Sequence, residues 1–532
     1  MMKFFLNEKN NLLNKRSKLE IFKDLLVRNV IKSTNKYASL LGFSSHPNYM
    51  IDMLKREKLL ENMWAYPYIN KEVVKYENKD MMFDDIPIFF SYTNSKDLIS
   101  SDNNTIKNYF TKNGYECMIE RLSSLDNSKY LKQRSIMMVS LGKYENIINE
   151  LKGTRNYVNT VCEDIDILTE AKYIGDYLIN NAIYSDSNQY ITWEDISINS
   201  NGTWQASAMT ECLYNGIAGI AYFLYELFYI SKDKKYYNAY KKAMNTAIKD
   251  SKFTNAISAY NGQVSLMFPI LNELKKSNKS DFIYFIDDTI KYIENNLDLI
   301  TEYDWLSGCS GIIALILNAY ECINNPEYIK LANILGEKII TELEFEKIKL
   351  VGLGHGCTGI SMALIRLYKY IKNKDYLSLA LKLLDHERNL MNSHNYCEEA
   401  KWCKGSTGMG IGRLDILNYY QDQTLLDEIN LCIENISSSM KKGDCLCHGN
   451  MGDIELLNSY FEKNADENIK SMINTKLIDL ISMKNKLGKF SIRNIPQFMS
   501  FDLFTGMSGI GYELLRLYNP ESISNVLTLN LK

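Results

Sequence analysis

The chain has 532 residues, 46% of them apolar, and 61 basic against 64 acidic side chains give a formal net charge of −3. That length accommodates two to four domains, or one large closed repeat architecture with an extension; the near balance of charge gives no electrostatic ground for nucleic acid or an anionic membrane as the main partner. Eleven cysteines, an odd number with no secretion signal ahead of them, argue against a disulfide framework and leave metal binding or free thiols.

In chain order, the opening stretch MMKFFLNEKNNLLNKRSK breaks its apolar residues with Asn, Glu and Lys before a signal-peptide core forms. The uncharged run from Trp305 to Tyr320 is too short to span a membrane. Both features point to a soluble, cytoplasmic protein without an integral membrane segment. From Tyr214 onward one pattern recurs: YNGIAGIAYFLYEL, YNGQVSLMFPILNEL at Tyr260, LSGCSGIIALILNAY at Leu306, GHGCTGISMALIRLY at Gly354, CKGSTGMGIGRLDIL at Cys403, CHGNMGDIELLNSY at Cys447 and FTGMSGIGYELLRLY at Phe504. The first glycines of these seven copies are separated by 46, 46, 48, 49, 44 and 57 residues. Each copy continues into an apolar run with helical spacing, and segments between copies, such as DKKYYNAYKKAMNTAIKDS and NPEYIKLANILGEKIITELE, read as amphipathic helices with charged outer faces.

One period therefore holds two helices, and neighbouring pairs must stack to bury their apolar faces. An open solenoid and a closed ring both satisfy this. Helices that are apolar on most sides favour a ring, with the glycine turns gathered at one end. The residues before the first glycines, Asn215, Asn261, Ser307, His355, Lys404, His448 and Thr505, are all polar. For Asn, Ser and Thr the expected role is helix capping; His and Lys are poorer caps and call for chemistry.

Cys403 and Cys447 both stand two residues before a first glycine in adjacent copies, and His448 follows Cys447. Superposed repeats bring two sulfurs and an imidazole together, a set that suits zinc and leaves a fourth position open. Cys445 lies outside this register, as a packing residue or support for the ligands, and Cys309, Cys357 and Cys397 read as structural. His355 shares the register without an adjacent cysteine, so it is free for proton transfer. Asp304, one repeat earlier, either orients it or caps a turn. His46, His386 and His394 lie outside the pattern. No paired acid and base suited to a glycoside-processing barrel stands out as well.

The glycine pairs at this period, DWLSG at Asp304, GHG around His355, WCKG at Trp402 and CHG at Cys447 closely resemble the lanthionine synthetase cyclases over roughly residues 173–532. The resemblance implies an all-α fold, an α/α toroid of seven helix pairs. It also implies a Zn2+ held by Cys403, Cys447 and His448, with His355 and Asp304 in catalysis. One element departs, since Glu399 stands where the stand-alone cyclases tend to have arginine. Upstream, STNKYASLLGFSSHPNYM, Glu77 and DDIPIFF at Asp84 are similar to the end of the dehydratase domain of class II lanthipeptide synthetases, which usually has glycine at the place of Asp84. No phosphate-cradling glycine loop or Asp-x-His-x-x-Asn stretch precedes this tail. The expected organisation is thus a mainly helical, partial dehydratase-like segment over residues 1–160 and a cyclase over residues 161–532. Such a chain would be the product of a divided gene, of a shortened gene, or a piece cut from a longer enzyme. The implied function is a zinc-dependent lanthipeptide cyclase acting on a ribosomally made precursor peptide, with a possible separate dehydratase subunit. The alternative is a non-catalytic peptide-binding scaffold.

Overall fold

The computed structural model describes residues 19–66, 70–141, 153–158, 165–185, 187–198, 204–393, 400–492 and 498–532, with positions 11, 68, 494 and 495. Contacts divide the chain into two units, Met1–Arg134 and Ser135–Lys532. His394, Cys397 and Glu399 lie outside the described residues.

In the N-terminal unit, helices α1 (Thr34–Ser44), α2 (Met53–Leu60), α3 (Val73–Met82) and α4 (Gly114–Ser123) accompany an antiparallel sheet. Its strands β1 (Leu26–Asn29), β2 (Phe89–Tyr92), β3 (Leu98–Ser100) and β4 (Thr105–Ile106) follow one another in sequence order. Glu77 is fully buried on α3, where it accepts from Lys32 Nζ at 2.9 Å and from the Tyr37 and Tyr68 hydroxyls at 2.6 Å each. These partners compensate the loss of water around the carboxylate. Asp84 has a backbone φ of +60°, the left-handed region in which glycine is the unstrained choice. The glycine that the resemblance leads one to expect here would have a conformational reason, and Asp84 occupies the place while pairing with Arg56.

Fourteen helices build the second unit among the described residues: α5 (Ile167–Asn180), α6 (Ile217–Ser231), α7 (Lys234–Ser251), α8 (Met267–Ser277), α9 (Tyr284–Glu294), α10 (Cys309–Ile323), α11 (Pro326–Glu342), α12 (Cys357–Ile371), α13 (Lys374–Ser393), α14 (Ser406–Ile416), α15 (Gln423–Ser437), α16 (Asn450–Asn464), α17 (Glu467–Leu487) and α18 (Met507–Tyr518). The even-numbered helices α6 to α18 are the apolar runs of the seven copies. Each packs on the next, and α18 packs back on α6, so the ring is closed. The odd-numbered helices pair with them from outside: α7 with α6, α9 with α8, α11 with α10, α13 with α12, α15 with α14 and α17 with α16. The remaining outer place, on α18, is taken by α5 from the start of the unit. This is an α/α toroid of seven helix pairs. Its inner helices are buried on nearly every side, as in α6, where every residue from Ile217 to Leu227 is buried.

Inner and outer helices are joined tightly. Lys232, Asn324, Lys372 and Ala465 end α6, α10, α12 and α16 in left-handed conformation. The following Asp233, Asn325, Asn373 and Asp466 then accept backbone N–H groups at the start of the outer helices. At the other end the expectation of side-chain caps at Asn215, Asn261, Ser307 and Thr505 does not hold, because the capping residue of every inner segment is the first glycine itself. The side chains that tie the turns lie four residues before the glycine: the Asn261 N–H donates to Ser258 Oγ at 3.0 Å, and Ser307 and Thr505 donate to Asp304 and Asp502 Oδ1 at 2.6 Å each.

The second glycine of each pair is a packing requirement. A Cβ at Gly219, Gly311, Gly359, Gly408, Gly452 or Gly509 would lie 1.9–2.4 Å from the carbonyl oxygen six residues earlier. The second copy has Ser265 at this place, and its helix starts with a 3-10 turn over Gln263–Leu266. Inside the ring, the C-terminal tail is buried from Ile523 to Leu529. It is hydrogen-bonded to Tyr222 of α6, Asn272 of α8, Asn318 of α10, Asp415 of α14, Glu455 of α16 and Tyr512 of α18. No helix among the described residues is long and apolar enough to cross a membrane.

Gly359→Ala would set a methyl group 2.2 Å from the Leu353 carbonyl oxygen and 2.5 Å from Trp305 Cβ. We expect a loss of about 1–3 kcal/mol, read as a lower midpoint of thermal unfolding. Gly42→Ala, where the methyl meets nothing within 4 Å, is expected to leave the midpoint unchanged or raise it.

Candidate metal centre

The glycine turns are stitched to one another by their backbones. The Tyr214 N–H donates to the Tyr260 carbonyl at 3.0 Å, Leu306 to Gly354 at 3.0 Å, His355 to Cys403 at 3.0 Å, Trp402 to Cys447 at 2.9 Å, Cys447 to Phe504 at 3.0 Å and Phe504 to Tyr214 at 3.1 Å. Between the second and third copies the link is a side chain, Trp305 Nε1 donating to Tyr260 Oη at 2.9 Å. These bonds bring the position two residues before each first glycine onto one rim, including Cys403 and Cys447.

On that rim the ligand atoms of Cys403, Cys447 and His448 all lie within 4.8 Å of one another. Cys447 Sγ is 3.4 Å from His448 Nε2. A tetrahedral zinc with metal–sulfur bonds of about 2.3 Å and metal–nitrogen bonds of about 2.0–2.1 Å holds its ligands roughly 3.5–3.8 Å apart, so the donor set fits in kind, and the Cys447–His448 separation fits in spacing. The two sulfurs are buried, whereas His448 reaches the surface. One turn away, His355 Nδ1 stands 2.7 Å from Asp304 Oδ2. The other oxygen of Asp304 accepts from the Ser307 N–H.

The electrostatics follow from burial and proximity. The hydrogen bond with Cys447 holds the Cys403 thiol well below its usual range, with His448 adding to the effect. Burial, then the neighbouring Cys403, pushes the Cys447 thiol up. For His448 burial works downward, but contacts with the Cys403 and Cys445 sulfurs prevail and raise it to about 9. A cation entering the set takes the place of these protons. The hydrogen bond to Asp304, opposed by burial, raises His355 above the ordinary histidine value.

The remaining candidates are elsewhere. His46 Nδ1 accepts from the Asn48 N–H at the start of a short helix, and His386 Nε2 lies 3.0 Å from the Ile348 carbonyl. Cys309 and Cys357 are buried at the first residues of α10 and α12, and burial pushes the Cys309 thiol up to about 12. Sequence reasoning missed Tyr214, whose hydroxyl donates to Cys447 Sγ at 3.0 Å. Its signal was present, because Tyr214 holds in the first copy the register place that the two cysteines hold in theirs.

Residues 207–528 match the family model described as lanthionine synthetase C-like protein, and residues 1–92 match a domain of unknown function, DUF4135. The lacticin 481/lactococcin biosynthesis protein LcnDR2 of Lactococcus lactis subsp. lactis is 25% identical over 535 residues, covering 94% of this chain and 56% of that relative's length. Among solved structures, nisin cyclase has a TM-score of 0.46 at 16% identity, over 60% of this chain and 92% of its own. An unsaturated glucuronyl hydrolase mutant from Streptococcus agalactiae has a TM-score of 0.36 at 10% identity, over 70% of this chain and 97% of its own.

Asp304→Asn retains an oxygen for the Ser307 N–H but removes the charge facing His355. The titration midpoint of the His355 imidazole is expected to fall toward the ordinary histidine value, followed by NMR with the resonance assigned through His355→Asn. An unmoved midpoint would show that Asp304 is not what holds the proton there.

Proposed function

This chain belongs to the lanthionine synthetase C-like family, and from that membership we propose that it closes thioether rings in a ribosomally made precursor peptide. The matches to DUF4135 and to the cyclase family, in that order along the chain, together with the LcnDR2 relative, bear out the resemblance to class II lanthipeptide synthetases. The observation that carries the reading is the convergence of Cys403, Cys447 and His448 beside the His355–Asp304 pair on one rim. We read residues 1–160 as a partial dehydratase-like segment and residues 161–532 as the cyclase, working in the cytoplasm on a dehydrated peptide.

The reaction adds a cysteine S–H across the double bond of dehydroalanine or dehydrobutyrine. The sulfur forms a bond to the β-carbon, the π electrons move toward the carbonyl, the thiol proton departs and the α-carbon gains a proton. A zinc ion held by Cys403, Cys447 and His448 would supply Lewis acidity that favours the thiolate of an incoming cysteine at the open fourth position. His355, oriented by its hydrogen bond to Asp304, delivers a proton to the α-carbon. The side chain of His355 is 35% exposed, so it can meet a peptide lying across the rim.

Incubated with a pre-dehydrated precursor, the purified chain is expected to consume free thiols without changing the peptide's mass. Cys447→Ala should abolish this, and His355→Asn should slow it by about 10²- to 10⁴-fold. Thiols that persist while the peptide still binds would instead establish a scaffold. Elemental analysis should find about one zinc per chain, and full activity after its removal by a chelator would contradict the mechanism.

A further inference from the structure

Tyr214 belongs to the first copy of the repeat, yet its hydroxyl reaches a sulfur on the sixth, with Oη 3.0 Å from Cys447 Sγ. Three contacts fix its position. Its ring is stacked on Phe504 at 4.6 Å with an interplanar angle of 11°, its N–H donates to Tyr260, and its carbonyl accepts from Phe504. Phe504 in turn accepts from the Cys447 N–H, so phenol and sulfur approach from the two sides of one residue. Resting on the reading of Cys403, Cys447 and His448 as a metal site, we infer that Tyr214 is a positioning residue for that site: it donates a hydrogen bond to the Cys447 thiolate, fixes the sulfur's direction and withdraws part of its charge.

The chemistry favours this role. A phenol is protonated at neutral pH and has one O–H to give. A hydrogen bond to an ionised acceptor is stronger than one between neutral groups, and Cys447 is fully buried, so little water competes for its sulfur. Partners behind a ligand set its orientation and electron density. Two sulfurs on one ion raise the charge donated to it; drawing some of that charge from Cys447 leaves the ion a better acceptor for a third, incoming thiol. The effect falls on one sulfur and not the other, and it exists only when the first and last copies are joined.

The test uses the full chain loaded with cobalt(II) in place of zinc, compared with Tyr214→Phe, which keeps the ring stack and removes one oxygen. The sulfur-to-cobalt charge-transfer band is expected to move to lower energy in Tyr214→Phe, and cobalt affinity, measured against a competing chelator, to fall by about 10- to 100-fold. Tyr222→Phe is the packing control: it removes another buried hydroxyl of the first copy, one that donates to the Ser524 carbonyl, and should leave the band in place. An unmoved band in Tyr214→Phe, or an equal shift in both variants, overturns the role of Tyr214 while leaving the metal site standing. Failure of the unmodified chain to take up cobalt overturns the site and Tyr214 with it.

Discussion

The backbone hydrogen bonds between successive glycine turns are the constraint on which the site depends. A turn that enters a buried helix leaves N–H groups without partners in their own segment, and an orphaned buried N–H is costly. Here the carbonyl of the next turn satisfies it, as with Trp402 on Cys447 and Cys447 on Phe504. Adjacent turns are thereby held at the spacing of a peptide hydrogen bond, however many residues separate them in sequence. Cys403 and Cys447 are 44 positions apart in the chain, and the bond from the Trp402 N–H sets their sulfurs side by side. The glycines make this approach possible: the inner helices could not start so close to the preceding turn if a Cβ had to fit against its carbonyls.

Closure adds a second condition. The outer helix packed on α18 is α5, from the opposite end of the unit, so the ring is clasped by its own beginning. Gly175 of α5 lies where a Cβ would come within 2.3 Å of Leu227 and 2.9 Å of Tyr236, which shows how closely this clasp fits the first helix pair. The bonds from Phe504 to Tyr214 and from Cys447 to Phe504 carry the same closure to the rim. A donor set contributed by the fifth and sixth copies is therefore bordered by the seventh and the first, and its geometry belongs to the whole circle.

Much of this was legible in the sequence because the signals were periodic. The glycine pair marked the inner helices, the charged segments marked the outer ones, and equal register placed Cys403 beside Cys447 and His448. What escaped was what does not repeat. α5 precedes the first copy instead of following one, so nothing in the pattern named it as the seventh outer helix. The tail from Ile523 to Leu529 belongs to no copy, yet it fills the ring. The capping roles of Asn215, Asn261, Ser307 and Thr505 were misread because residue preference was applied without geometry. The glycine takes the cap, in extended backbone at Gly216, Gly308 and Gly506, and the carboxylates of Asp304 and Asp502 hold the turn from four residues back. Tyr214 was in register but was passed over, since tyrosine is not a metal ligand of the expected kind and its role appears only across the closure.

The filled interior bears on how a peptide can be processed. Tail residues bond to six of the seven inner helices, and Tyr260, Trp402 and Phe504 pack against one another, with ring centroids 4.9–5.6 Å apart, beside the donors. Under the proposed function a substrate would not thread such a ring but would lie over the rim, where His448 and His355 reach the surface. A site on a rim sets no limit on the length of the chain passing over it and reads only the few residues presented at one time. That arrangement suits a chemistry repeated at several cysteines of one peptide, in which each ring closed changes the shape of what is presented next while the donors stay fixed by the backbone beneath them.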